Sequence, residues 1–152
     1  MSLDFNSYGN LYQTIALTVE SFKQCFLTNQ TRNQLFFNAL PFFNAFFECG
    51  CMHVFIAGSF ISQKKHPGDI DICFDISHAN QQKLRTHVLK LTDYKEIGKI
   101  RRELQCHIFL FDNENTELFE MLSEDRNANK KGMVQLALKD ILQHHDQKRT
   151  PT

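Results

Sequence analysis

The chain has 152 residues, enough for one domain with a single substantial core. Its 17 basic and 17 acidic residues balance, which excludes a global field drawing it to nucleic acid or to a membrane surface. Five cysteines, odd in number and without a Cys-x-x-Cys pair, fit small buried hydrophobes in a reducing compartment rather than a disulfide framework. Cys49-Gly50-Cys51 is too tight for an easy mutual disulfide and lacks zinc partners, so it reads as structural.

Residues 1–13 are polar and aromatic and read as an extended or partly ordered arm. The first basic residue is Lys23, so no positively charged leader region is expected. No apolar run reaches membrane-spanning length, and the expected location is cytoplasmic. Thr14 to Leu27 reads as a short helix with Ile15, Val19, Phe22 and Phe26 at helical spacing. Thr28-Asn29-Gln30-Thr31 interrupts it, and either threonine can cap the next helix. From Arg32 to Glu48 the apolar residues recur at three and four, giving an amphipathic helix suited to covering a sheet. Pro41 is expected to bend or divide this helix, and Gly50 to end it. Fifteen Phe and no Trp are unusual; three Phe-Phe pairs fall on this helix, pointing to core packing or to a homodimer or partner face.

Met52 to Ala57 reads as the first clear strand, stopped by Gly58 and Ser59. A loop carrying Lys64, Lys65 and His66 leads through Pro67-Gly68 to a second strand, Ile70 to Phe74. Asp69 and Asp71 open that strand two residues apart, so both carboxylates project to one side, ~6.5 Å apart along the chain. Two adjacent carboxylates repel unless a cation sits between them, and Mg²⁺ is bound through one or two carboxylates plus phosphate oxygens. Beyond this, Gln81 to Leu91 reads as a helix, Asp93 to Gly98 as a turn, and Ile100 to Phe111 as containing a third strand. A short helix over Glu117 to Leu122 precedes a charged loop, Ser123 to Lys131. The run Gly132 to Leu138 reads as a strand leading into a helical stretch, with residues 143–152 a flexible tail. His144-His145 has no acidic or thiol partner at metal spacing.

The ordered combination of strand, Gly58-Ser59, nine residues, then Asp69-Ile70-Asp71 resembles the signature of the nucleotidyltransferase (polymerase β-like) superfamily. From about Asn33 to Leu138, the Arg-containing helix, GSF, PGDID and a late Lys-Gly before an apolar strand resemble a small stand-alone bacterial nucleotidyltransferase-like family of uncharacterised function. Minimal nucleotidyltransferases of toxin–antitoxin and phage-defence systems are broader relatives. The resemblance implies one α/β (α+β) domain over 1–152, a mixed β-sheet flanked by helices in a minimal nucleotidyltransferase-like fold. It implies a nucleoside triphosphate received at Gly58 and Ser59; the loop cations Lys64, Lys65 and His66 are placed to neutralise its charge, with Lys65 the candidate contact. Mg²⁺ or Mn²⁺ would be held by Asp69 and Asp71, and a nucleoside monophosphate passed to RNA, a protein hydroxyl or a small molecule.

Active members of that superfamily normally carry a third carboxylate on the neighbouring strand. Here the expected position is His107, a candidate general base but a poor Mg²⁺ ligand. Glu103 shares the parity of His107 on an uninterrupted strand but lies roughly 13 Å early, and Asp112 has the opposite parity. Lys130 and Lys131 approach a triphosphate if their loop folds over the site. Two readings remain open: an enzyme using Asp69, Asp71 and His107, or a nucleotide- or metal-binding module without turnover. The second would act as an antitoxin or as a subunit of a larger assembly, with the Phe-rich helix as its partner face. A phosphatase using Asp-x-Asp would need its Gly-Ser turn after the acidic pair rather than before it.

Overall fold

The computed structural model describes residues 3–88, 94–114, 116–124 and 131–149. A five-stranded mixed sheet is flanked by helices, an α/β architecture. The strands are β1 (Ile15–Ala16), β2 (His53–Ala57), β3 (Ile70–Asp75), β4 (Cys106–Phe111) and β5 (Val134–Ala137), in spatial order β1-β5-β2-β3-β4. β2 runs antiparallel to both β3 and β5, whereas β1–β5 and β3–β4 are parallel pairs. The parallel β3–β4 pair needs a crossover, and the connection carries α3 (Gln81–Val88) and α4 (Tyr94–Leu104).

The period of two sorts the side chains of β3, although Cys73, between the two acids, is buried as well. Ile70, Ile72 and Phe74 are fully buried on the face toward α2 (Gln30–Glu48), while Asp71 and Asp75 on the other face are half-buried. Phe74 stacks on Phe46 with centroids 3.9 Å apart and meets Phe43 edge-on. Phe22, on α1 (Val19–Phe26), joins Phe26, Phe36 and Phe60 in the same aromatic layer. Burying rings of this size stabilises by about 1.5–3 kcal/mol each, which makes this face the core. It leaves Phe37 and Phe47 as the exposed phenylalanines of α2. On the opposite face α5 (Glu117–Leu122) sets Phe119 against Phe55 and Phe111, covering one end of the sheet and leaving the Asp71 end uncapped by that ring cluster.

Several expectations are corrected by tertiary pairing. Ile15 is not helical: Ile15 and Ala16 pair with Val134 and Gln135 at the sheet edge, and Thr18 caps a helix that starts only at Val19. Asn29, not a threonine, caps α2 through the Arg32 amide. Pro41 lies inside an α2 that runs undivided, because the buried residues Leu35, Phe36, Ala39, Phe43 and Phe46 anchor both sides of it. This outweighs the ~3 kcal/mol cost of an interior proline. The Gly50 expectation holds: at φ +100 it ends α2, with the Cys51 amide reaching the Phe46 carbonyl and the Gly50 amide that of Phe47.

Tyr94 to Leu104 is helix rather than turn and strand, so Glu103 is a solvent-exposed helix residue and offers nothing to the β3 face. The helix-to-strand change happens at Gln105, whose φ of 56 breaks the helix and whose carbonyl accepts the Ile70 amide. Residues 143–149 belong to α6 (Leu138–Arg149) rather than to a flexible tail, and His144 Nδ1 lies 2.7 Å from Lys23 Nζ. The arm is tied down as well, with Leu11 buried and its carbonyl accepting the Gly132 amide. Residues 89–91 of the expected third helix and Lys130 lie outside the described residues.

Candidate functional site

Three adjacent strands set the site in register. Ala57 on β2 pairs with Asp71 on β3, and Asp71 pairs with His107 on β4, so their side chains share the face away from α2. The chain leaves β2 through Gly58 at φ +73 and enters a single 3₁₀ turn, Gly58–Ile61. A Cβ at residue 58 would stand 2.5 Å from Asp71 Oδ2. Only glycine lets the backbone both take this left-handed conformation and approach the carboxylate so closely. The Gly-Ser turn and the second aspartate are therefore one constellation, joined by contact. A 3₁₀ turn leaves its first amides without intrahelical acceptors, and this one begins at Gly58, the residue packed against the Asp71 carboxylate.

Asp71 has 20% of its side chain exposed and accepts no hydrogen bond from the described residues. Burial pushes its carboxyl up to about 6; the charge of Asp69 adds to the rise, and Lys131 and Arg101 oppose it. His107 Nδ1 lies 3.8 Å from Asp71 Oδ1. That is too far for a hydrogen bond. Burial, then Arg101, lowers the imidazole pKa against the pull of Asp69. Each member of the pair is thus pushed toward its uncharged form. The Phe109 ring lies 4.1 Å from the imidazole and forms one wall.

A half-buried carboxylate without donors, raised by a second carboxylate, is what a bound cation relieves. Among the described residues no group of three His, Cys, Asp or Glu side chains converges on one point. The arrangement fits an oxygen-preferring ion held by Asp69 and Asp71, its remaining positions filled by water or phosphate. It does not fit a closed four-ligand zinc site.

A family profile matches residues 3–137, a span that includes every residue of this constellation. The chain belongs to DUF6932, a family of unknown function. Comparison with curated proteins and with solved structures gives no match.

Of the residues singled out in this DUF6932 chain, Gly58, Ser59, Asp69, Asp71 and His107 come together at one end of β2–β3–β4. Lys65 is exposed on the following loop, and its carbonyl is held by Asn29 Nδ2 at 2.8 Å. Among the described residues, the cations whose fields reach Asp71 are instead Lys131 and Arg101. Arg101 escapes sequence reading because it lies in the last turn of α4, a segment that reads as strand. Cys51, Cys73 and Cys106 are buried thiols whose pKa burial pushes up to about 12. The groove of about 830 Å³ lined by Val19, Lys23, Phe36, Phe37, Leu40 and Ile141 belongs to α1, α2 and α6 and contains none of the site residues. Among the described residues no helix is long and apolar enough to cross a membrane.

Proposed function

We propose that this chain is a metal-dependent nucleotidyltransferase, related to the polymerase β-like superfamily, that moves a nucleoside monophosphate from a nucleoside triphosphate to an acceptor hydroxyl. The observation that carries the reading is the contact of Gly58 with the Asp71 carboxylate, which puts turn amides and an acid within one ligand's reach. In this reading the Gly58 and Ser59 amides and the Ser59 hydroxyl bind phosphate oxygens, and Asp69 and Asp71 hold Mg²⁺ or Mn²⁺. The ion supplies charge neutralisation for the departing pyrophosphate. His107, held neutral by burial, accepts the proton of the acceptor hydroxyl as its oxygen attacks the α-phosphorus. The bond from that phosphorus to the bridging oxygen breaks, and pyrophosphate leaves with the electron pair. Arg101 and Lys131 add positive charge on the side of Asp71. All five cysteines are free, which favours a cytoplasmic location.

One observation favours a second reading. The residue beside Asp71 is a histidine, and the described residues supply no third carboxylate to the pair. A module that binds nucleotide or metal without turnover, working as an antitoxin or assembly subunit, needs only Asp69, Asp71 and the turn.

Calorimetric titration of ATP, GTP, CTP and UTP, in Mg²⁺ and then Mn²⁺, tests both readings against Asp69→Asn/Asp71→Asn. Metal-dependent binding that disappears in the double variant supports the site, and labelled-nucleotide transfer to RNA or protein then separates enzyme from module. A folded wild type that binds no nucleotide with either ion refutes the enzyme reading and leaves the module only metal to bind; a wild type that also binds neither ion alone refutes both.

A further inference from the structure

The loop beyond the Gly58–Ser59 turn is organised by a residue outside the sheet. Arg32, in the first turn of α2, is only 4% exposed. Its guanidinium donates to the carbonyls of Phe26, Phe60, Ser62 and Lys64, those to Phe26 and Ser62 at 3.4 and 3.0 Å. It also lies 5.3 Å from the centre of the Phe60 ring. No carboxylate of the described residues forms an ion pair with it. A buried charge is costly unless its hydrogen bonds are satisfied, and here four backbone carbonyls accept from its two terminal nitrogens. Only the planar fork of arginine reaches several carbonyls at once; a lysine ammonium is a point donor.

The neighbouring ties act in the same direction. Asn29 Nδ2 donates to the Lys65 carbonyl, and the Ser62 amide and hydroxyl both donate to the Ser59 carbonyl. Carbonyls at 59, 60, 62, 64 and 65 are thus all engaged by donors of the protein. The negative ends of these peptide dipoles are turned onto protein donors, three of them onto one buried cation. These five carbonyls are therefore occupied by protein donors rather than left to repel an anion beside the turn.

We infer that Arg32 is a positioning residue that fixes the Gly58–Lys65 backbone as an anion-receiving loop beside Asp71. Its ligand class is a polyphosphate chain rather than a base or sugar, because backbone amides recognise phosphate oxygens without reading a base. The inference rests on the reading of the Gly58–Ser59 turn as the phosphate-binding element.

The test uses the full chain as wild type, Arg32→Lys and Arg32→Gln, with three measurements. These are calorimetry with Mn²⁺ alone, calorimetry with inorganic tripolyphosphate in the presence of Mn²⁺, and amide hydrogen exchange. The expected result for Arg32→Lys is Mn²⁺ affinity within about twofold of wild type, tripolyphosphate affinity reduced at least tenfold, and exchange accelerated at 58–65 but not in β3. A purely structural role would weaken both ligands together and accelerate exchange across the sheet, and that outcome overturns the inference. So does an Arg32→Lys variant with unchanged exchange at 58–65. If Arg32→Gln does not fold, Arg32→Lys, which keeps the charge and most of the volume, decides alone. Should wild type bind no tripolyphosphate, the phosphate-binding reading itself fails. Accelerated exchange confined to 58–65 would then still establish Arg32 as the residue that holds the loop, and its absence would remove that role too.

Discussion

Replacing Asp71 by asparagine should make the metal-free protein more stable at alkaline pH while removing its affinity for divalent cations. The carboxyl is raised from an ordinary 3.8 to about 6, first by burial and then by Asp69. Ionising it in the fold therefore costs roughly 3 kcal/mol relative to the unfolded chain, at about 1.4 kcal/mol per pH unit of displacement. The sign follows from linkage: the folded state holds this proton more tightly, so the contribution is fully present below pH 4 and is lost as pH rises through 6. Asparagine has no proton to lose, but its amide must still be desolvated, which takes back ~1 kcal/mol. The net gain at pH 8 is about 2 kcal/mol, or roughly 4–8 °C in Tm for a chain of this size. Thermal unfolding of wild type and Asp71→Asn at pH 8, 6 and 4.5, with EDTA and with Mn²⁺, measures it. The advantage should shrink toward acid pH, and Mn²⁺ should raise the Tm of wild type alone. A variant less stable than wild type at pH 8, or one whose advantage does not change with pH, would refute an ill-solvated carboxylate at the site.

Gly58→Ala should cost about 1–3 kcal/mol through a left-handed backbone and a Cβ pressed on Asp71. Gly68→Ala, where a Cβ meets nothing within 4 Å, should stay within about 0.5 kcal/mol in the same urea titration. His107→Asp places a third carboxylate opposite Asp71 and should raise Mg²⁺ affinity about tenfold in calorimetry, while lowering metal-free stability at pH 8 by about 1–2 kcal/mol. An unchanged Mg²⁺ affinity would show that position 107 lies out of reach of the ion assigned to Asp69 and Asp71. Because Asp71 must lose its proton to bind a cation, Mn²⁺ affinity should be flat above pH 7 and fall about tenfold per pH unit well below 6. A pH-independent isotherm between pH 5 and 8 would show that the ion binds elsewhere.

The features legible in the sequence are local ones. Alternation in Ile70–Phe74 marks β3 and the shared side of Asp69 and Asp71, and the three-four spacing of apolar residues marks the buried stripe of α2. Gly50 and the Glu117–Leu122 helix are legible for the same reason, since caps and short-range periodicity involve neighbours along the chain. The remaining features depend on partners far away in sequence, which only folding brings together. Ile15 and Ala16 become a strand because Val134 and Gln135 offer an edge, and Pro41 stays within a helix because rings on both sides of it are buried. Arg101 reaches the site because Ile100–Leu104 completes a helix instead of extending β4, which also removes Glu103 from consideration. Arg32 enters the sequence only as part of the Arg-containing helix, and its role is set when the loop carbonyls close around it. The identities of the site residues lie in the sequence; the shift of their protonation equilibria comes from burial, which only the folded chain creates.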